Sequence, residues 1–197
     1  MQKGDYLNAI LRSNKTVFTL KDISLMWQNS KTNAASVRLN YYVRKGNLNR
    51  VRRGLYTKSN VYEKLELATR IFTPAYISFE TVLAREGLIF QYQTQITVAS
   101  YLTRTITIDK QTYSYKKIKD TVLTNSIGIT HADETSIATK ERAFLDILYI
   151  NTDYHFDNTK SLDWNKIFTI LPIYNNKRMM KKVNKLYKQL NGSGSLL

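Results

Sequence analysis

Tyr6, Leu7, Ala9 and Ile10 recur at helical spacing before Ser13 and Asn14 interrupt them, which predicts a first amphipathic helix over 5–12. A short β-branched and aromatic run occupies 16–20. Leu20, Ile23, Met26 and Trp27 then fall at i, i+3, i+6 and i+7, the spacing of a second helix that Gln28, Asn29 and Ser30 break. Ser30 or Thr32 can cap a third helix, in which Ala35, Leu39, Tyr42 and Val43 share one face and Gly46 supplies a left-handed C-cap. Residues 48–51 and 55–57 read as two short strands joined by Arg52, Arg53 and Gly54, where glycine gives the freedom a tight turn needs. Two helices across a short polar turn, followed by a hairpin, make the pattern of a winged helix-turn-helix, the hairpin being the wing.

The pattern changes after Ser59 and Asn60, so a boundary is expected there, with one domain over 1–60 and a second over 61–197. Residues 62–72 form a helix with Leu65, Ala68 and Phe72 on one side, and Pro74 prevents its continuation. Ser78 is placed to cap a helix running to Arg85, with Glu80 in its first turn and Gly87 at its end. Strands are expected over 96–99, 105–108 and 112–115, the last two joined over Asp109, Lys110 and Gln111, and 116–123 can extend the same sheet. Short strands over 127–130 and 136–138 precede a helix capped by Thr139 and running to Ile150. A polar loop over 151–162 leads to helices over 164–171 and 176–190, and the tail 191–197 has the composition of a flexible linker. The expected class is α+β: an N-terminal winged helix-turn-helix followed by a mixed α/β domain with a small sheet.

Charge adds a partner to this outline. The chain carries a net +15. Residues 1–60 hold twelve basic side chains against Asp5 and Asp22, net +10, whereas the rest hold eighteen against thirteen, net +5. An anionic partner therefore belongs mainly to the first third, and double-stranded DNA is the partner that the helix pattern suits; a basic surface without a ligand is the plain alternative. The last helix repeats the question with Lys177, Arg178, Lys181, Lys182, Lys185 and Lys188, which fit either a phosphate contact or a solvated face. Without cysteine, disulfides, thiolate zinc sites and thiol catalysis are excluded. No stretch approaches the ~20 apolar residues of a membrane span and no secretory leader is visible, so a soluble, cytoplasmic chain with no membrane partner is expected.

Base edges in the major groove are read by hydrogen bonds and small apolar contacts. Opposite the apolar face of the third helix lie Asn33, Val37, Asn40, Tyr41 and Arg44, with Ser36 at the margin and Lys31 and Thr32 at its start. Asn pairs with adenine, Arg with guanine, and Val37 can meet a thymine methyl. Arg50, Arg52 and Arg53 concentrate guanidinium groups on the wing, where they can grip phosphate or enter a narrow minor groove; Asp22 is an intramolecular partner open to one of them. Catalytic chemistry is poorly represented. His131 and His155 are the only histidines, and the cluster His131, Ala132, Asp133 and Glu134 lacks distant ligands to complete a metal site. No phosphate-binding glycine loop or nucleophile elbow occurs. Arg142 and Asp146, at i and i+4, read as a structural ion pair. A non-enzyme without cofactor or metal is expected.

Over about residues 1–150 the chain resembles the AbiEi family of antitoxins, the regulator halves of bacterial AbiE-type (type IV) toxin-antitoxin systems. The blocks that carry the resemblance begin with Gly46-Asn47-Leu48, Arg53-Gly54-Leu55-Tyr56 and Ala75-Tyr76-Ile77-Ser78-Phe79-Glu80 with Leu83. They continue, in family order, with Gly87-Leu88-Ile89, Ile96-Thr97-Val98-Ala99, Ile137-Ala138-Thr139 and Glu141-Arg142-Ala143-Phe144-Leu145-Asp146. The resemblance implies a winged helix that represses its own operon, with cooperative self-association on repeated operator sequences. It also implies a second domain that neutralises a nucleotidyltransferase-type toxin. Two other classes stay open: a stand-alone winged-helix regulator whose second domain senses or oligomerises, and a nucleic-acid enzyme with an unrecognised site.

Overall fold

A computed structural model of the 197-residue chain describes residues 5–28, 32–132 and 134–192. Among them the architecture is α+β, with nine α-helices and two sheets. The chain divides into two compact units, Met1–Ile71 and Phe72–Leu197.

The first unit runs α1 (Asp5–Arg12), β1 (Val17–Thr19), α2 (Leu20–Met26), α3 (Thr32–Arg44), β2 (Asn49–Arg52), β3 (Leu55–Thr57) and α4 (Lys64–Ile71). Its antiparallel sheet has the order β1-β3-β2. A capping box starts α2: the Thr19 hydroxyl accepts from the Asp22 amide, and the Asp22 carboxylate accepts from the Thr19 amide at 2.8 Å. Ile10, Phe18, Ile23, Trp27, Ala35, Leu39, Tyr42, Leu48 and Tyr56 form the core, so α1, α2, α3 and the hairpin all contribute to it. The Trp27 indole N–H satisfies itself on the Tyr6 carbonyl at 2.8 Å. Gly46, at φ +73°, closes α3: Asn47 N–H bonds Tyr42 C=O at 2.9 Å and Gly46 N–H bonds Val43 C=O at 3.0 Å, the Schellman arrangement that turns the chain into β2.

The helix expected over 62–72 begins at Lys64 and falls in the first unit. Leu67 and Ala68 are buried, and so is Glu66, whose Oε2 accepts from the Thr16 amide at 2.9 Å and the Thr16 hydroxyl at 2.6 Å. Arg70 reaches both Glu66 at 3.1 Å and Asp22 at 3.0 Å. A carboxylate set 50 residues from its donors ties α4 to the start of β1, past the composition break at residue 60.

The second unit continues with β4 (Ala75–Ile77), α5 (Glu80–Arg85), β5 (Ile96–Ser100), β6 (Arg104–Ile108) and β7 (Gln111–Lys117). Next come α6 (Asp120–Leu123), β8 (Ile129–Ala132), β9 (Thr135–Ala138) and α7 (Lys140–Ile150), then α8 (Trp164–Ile170), a 3₁₀ turn (Leu171–Tyr174) and α9 (Lys177–Gly192). Its mixed six-stranded sheet has the order β6-β7-β5-β4-β9-β8. Residues 116–123, expected to prolong the sheet, do so only to Lys117 before α6 forms, and α9 takes in residues 191 and 192 of the expected tail, whose remainder lies outside the described residues.

Buried residues run without a break from Glu141 to Leu148, so α7 is surrounded rather than amphipathic. At its centre Arg142 and Asp146, both with fully buried side chains, form the i, i+4 pair at 3.3 Å that the sequence suggests. Asp146 also accepts from the hydroxyls of Ser78 at 2.7 Å, Tyr76 at 3.0 Å and Tyr174 at 2.7 Å, while Arg142 donates to the carbonyls of Ile127 at 2.8 Å and Val122 at 2.7 Å. Ser78 therefore does not cap α5, which begins after Phe79 at φ +58° without a side-chain cap. Burial pushes the Asp146 pKa up against the opposing pull of Arg142 and the three hydroxyls.

Candidate nucleic-acid interface

α3 divides its residues between two jobs. Ala35, Leu39 and Tyr42 are buried in the core of the first unit. Asn33, Ala34, Val37, Asn40, Tyr41 and Arg44 are exposed and Ser36 is half-buried. Asn33, Val37, Asn40 and Arg44 follow one another at i, i+4, i+7 and i+11, which lines them along a single stripe of the helix. Thr32 opens the helix, and Lys31 lies outside the described residues.

The hairpin brings a second set of groups. Arg50 pairs with Tyr56 and Arg52 with Leu55, so a β-bulge falls at Val51 between them, and Gly54 takes φ +82° in the turn. Arg50 and Arg53 project into solvent, and Arg52 is half-buried. Arg44, Lys45, Arg50 and Arg53 have no ion-pair partner among the described residues. Asp22, the carboxylate open to a wing arginine on sequence grounds, instead holds Lys15 at 3.2 Å and Arg70 at 3.0 Å. Burial would raise its pKa, yet hydrogen bonds from the Thr19 side chain and backbone, with Arg70 and Lys15, outweigh this and hold it below the usual carboxylate value.

Three residues were absent from the sequence-derived set. Arg38 belongs to α3 but turns inward: its guanidinium carbon sits 3.6 Å from the Tyr6 ring centroid and 5.6 Å from that of Trp27, a cation–π stack that fixes α3 to α1 and α2. Only the identity of the ring beneath it, 32 residues away, distinguishes this arginine from the exposed ones. Ala34 and Lys45 are exposed beside the stripe; the spacing of Ala34 from Val37 and Tyr41 was readable, though alanine carries no polarity signal of its own.

The acidic side chains of the first unit, Asp5, Asp22, Glu63 and Glu66, leave one long stretch of its sequence without a carboxylate. From residue 23 to residue 62 the chain has eight basic side chains and no carboxylate, a stretch that contains all of α3 and the hairpin. The exposed cations of this stretch, Arg44, Lys45, Arg50 and Arg53, offer donors suited to phosphate oxygens, and its exposed amide and apolar side chains suit base edges. In the second unit, the His131 ring meets the Ser136 hydroxyl at 3.0 Å, and no group of three or more metal-ligating side chains occurs among the described residues. No described helix is long and apolar enough to cross a membrane. On α9, Arg178 and Lys182 face Asp153 at 3.7 and 3.8 Å, while Lys177, Lys181, Lys185 and Lys188 are exposed. No protein-family model matches the sequence, and no curated protein matches it significantly.

Proposed function

We propose that the first unit is a winged helix-turn-helix that binds double-stranded DNA, with α2 and α3 as the helix pair, α3 as the recognition helix and the β2–β3 hairpin as the wing. The observation that carries the reading is the carboxylate-free run over 23–62, which holds the exposed α3 stripe of Asn33, Val37, Asn40 and Arg44 together with the exposed Lys45, Arg50 and Arg53; none of these four cations has an ion-pair partner among the described residues. Lys45, Arg50 and Arg53 contact phosphate and set register, while the asparagines and Arg44 face base edges.

The resemblance to the AbiEi antitoxins extends the proposal to physiology: the chain represses its own operon and neutralises a nucleotidyltransferase-type toxin through its second unit. Two experiments separate the halves. The full chain is expected to shift operator duplex in a gel, and Asn40→Ala to relax the preference for operator over random duplex; equal binding of both duplexes by the parent chain rejects sequence reading. With a neighbouring toxin gene under a foreign promoter, coexpression of the chain is expected to restore growth even when Asn40→Ala and Arg53→Ala together have abolished repression. Failure to protect while repression persists leaves a regulator without antitoxin activity.

A further inference from the structure

The exposed side of α3 is not uniformly polar. Ala34, Val37 and Tyr41, at i, i+3 and i+7, form an apolar stripe on it; Val37 is 71% exposed and Tyr41 52%. Single exposed apolar side chains are ordinary, but these three are neighbours and line one open hollow of about 640 Å³, completed by Asn33, Arg38 and Tyr42. Its floor is rigid, because Tyr42 lies in the core and Arg38 is stacked on Tyr6. Tyr41 is held edge-on against Tyr42, their ring centroids 5.6 Å apart.

The surroundings select what can fill this hollow. An apolar protein surface laid over Val37 and its stripe would draw Arg44, exposed on the same stripe and without an ion-pair partner among the described residues, out of water without compensation, whereas a duplex supplies acceptors to it. Within the major groove the apolar feature available to Val37 is the thymine 5-methyl group, and the base paired with thymine offers the N6 and N7 pattern that asparagine reads bidentately. Asn33 and Asn40 stand one turn before and one turn after Val37 on the same stripe. Amide, apolar side chain and amide thus follow one another along the helix, and each A·T pair presents both the methyl and the N6 and N7 pattern that such groups meet.

We infer that α3 reads an A·T-rich half-site through thymine methyl groups seated in the Ala34–Val37–Tyr41 hollow, with Val37 as the specificity-determining residue. This rests on the DNA-binding reading above. Burying one methyl is worth about a factor of four in affinity.

The test uses the full chain and a random-sequence duplex library. Selected sites are expected to contain a run of A·T pairs. In fluorescence anisotropy, replacing each thymine of that run by deoxyuridine, which lacks only the methyl, weakens binding about fourfold at the contacted positions. Val37→Ala, at an exposed site that leaves the core intact, binds thymine and deoxyuridine duplexes alike and keeps the salt dependence of the parent. Selected sites without an A·T run, or equal affinity of the parent for both duplexes, overturn the inference and leave DNA binding standing. A deoxyuridine penalty that persists undiminished in Val37→Ala overturns the assignment to Val37. Failure to enrich any duplex sinks the DNA-binding reading itself, and this inference with it.

Discussion

Asp146→Ala is expected to destabilise the second unit severely. The carboxylate is fully buried and faces four donors, at 3.3 Å from Arg142, 2.7 Å from Ser78, 3.0 Å from Tyr76 and 2.7 Å from Tyr174. Its loss leaves a buried guanidinium without a counter-charge, which costs about 3–5 kcal/mol, and strands buried hydroxyls that each add up to ~1–3 kcal/mol in a non-additive way. A domain holds only about 5–15 kcal/mol in all. Urea unfolding followed by circular dichroism is therefore expected to show a loss of roughly 4–6 kcal/mol, and hydrogen exchange to show unprotected α7 amides. The double variant Arg142→Met with Asp146→Leu removes both charges together and costs less than either single change, because no charge is left unpaired. A single-variant loss under about 1 kcal/mol, or a double-variant loss equal to the sum of the singles, refutes the reasoning.

Two further perturbations probe separate places. Gly128 adopts φ +74°, and a Cβ there would stand 2.9 Å from Ile170 Cδ1 and 3.0 Å from Arg142 Cβ, whereas one on Gly46 at φ +73° would meet nothing within 4 Å. Gly46→Ala is expected to cost about 1 kcal/mol of backbone strain, and Gly128→Ala to add an overpacking cost of roughly 1–3 kcal/mol; equal costs in thermal melts contradict this. Asp22 has its folded pKa held below the unfolded value, so its stabilisation is complete above the ordinary carboxylate range and is lost as pH falls through the folded pKa. Acid titration of unfolding should show Asp22→Asn flattening the loss of stability below about pH 4, and an unchanged acid limb counts against the Thr19, Arg70 and Lys15 contacts as its source.

What was legible in the chain follows the reach of each interaction. Local chemistry is readable from spacing, as with Thr139, which caps α7 through the Arg142 amide three residues on, and Gly46, which ends α3. The opposite faces of α3 follow from period alone. Non-local pairing escapes this kind of reading. Ser78 has the composition of a cap, but its hydroxyl serves Asp146, 68 residues away. The three-residue strand β4 is too short to show alternation and is defined by its partners β5 and β9. Asp22 is open to a hairpin arginine on sequence grounds, yet Lys15 and Arg70 occupy it. Arg38 differs from its exposed neighbours only through the Tyr6 ring it covers.

The salt dependence of duplex binding, with and without the two exposed hairpin arginines, tests the central claim most directly. For a protein that neutralises Z phosphates, log K falls against log salt with a slope of about −0.9Z. The full chain is expected to bind duplex DNA with a steep linear slope. Arg50→Ala combined with Arg53→Ala should flatten that slope by about two and weaken binding to all sequences alike. An undetectable affinity at low salt, or a slope unchanged by the double substitution, contradicts the assignment of the hairpin and α3 to DNA.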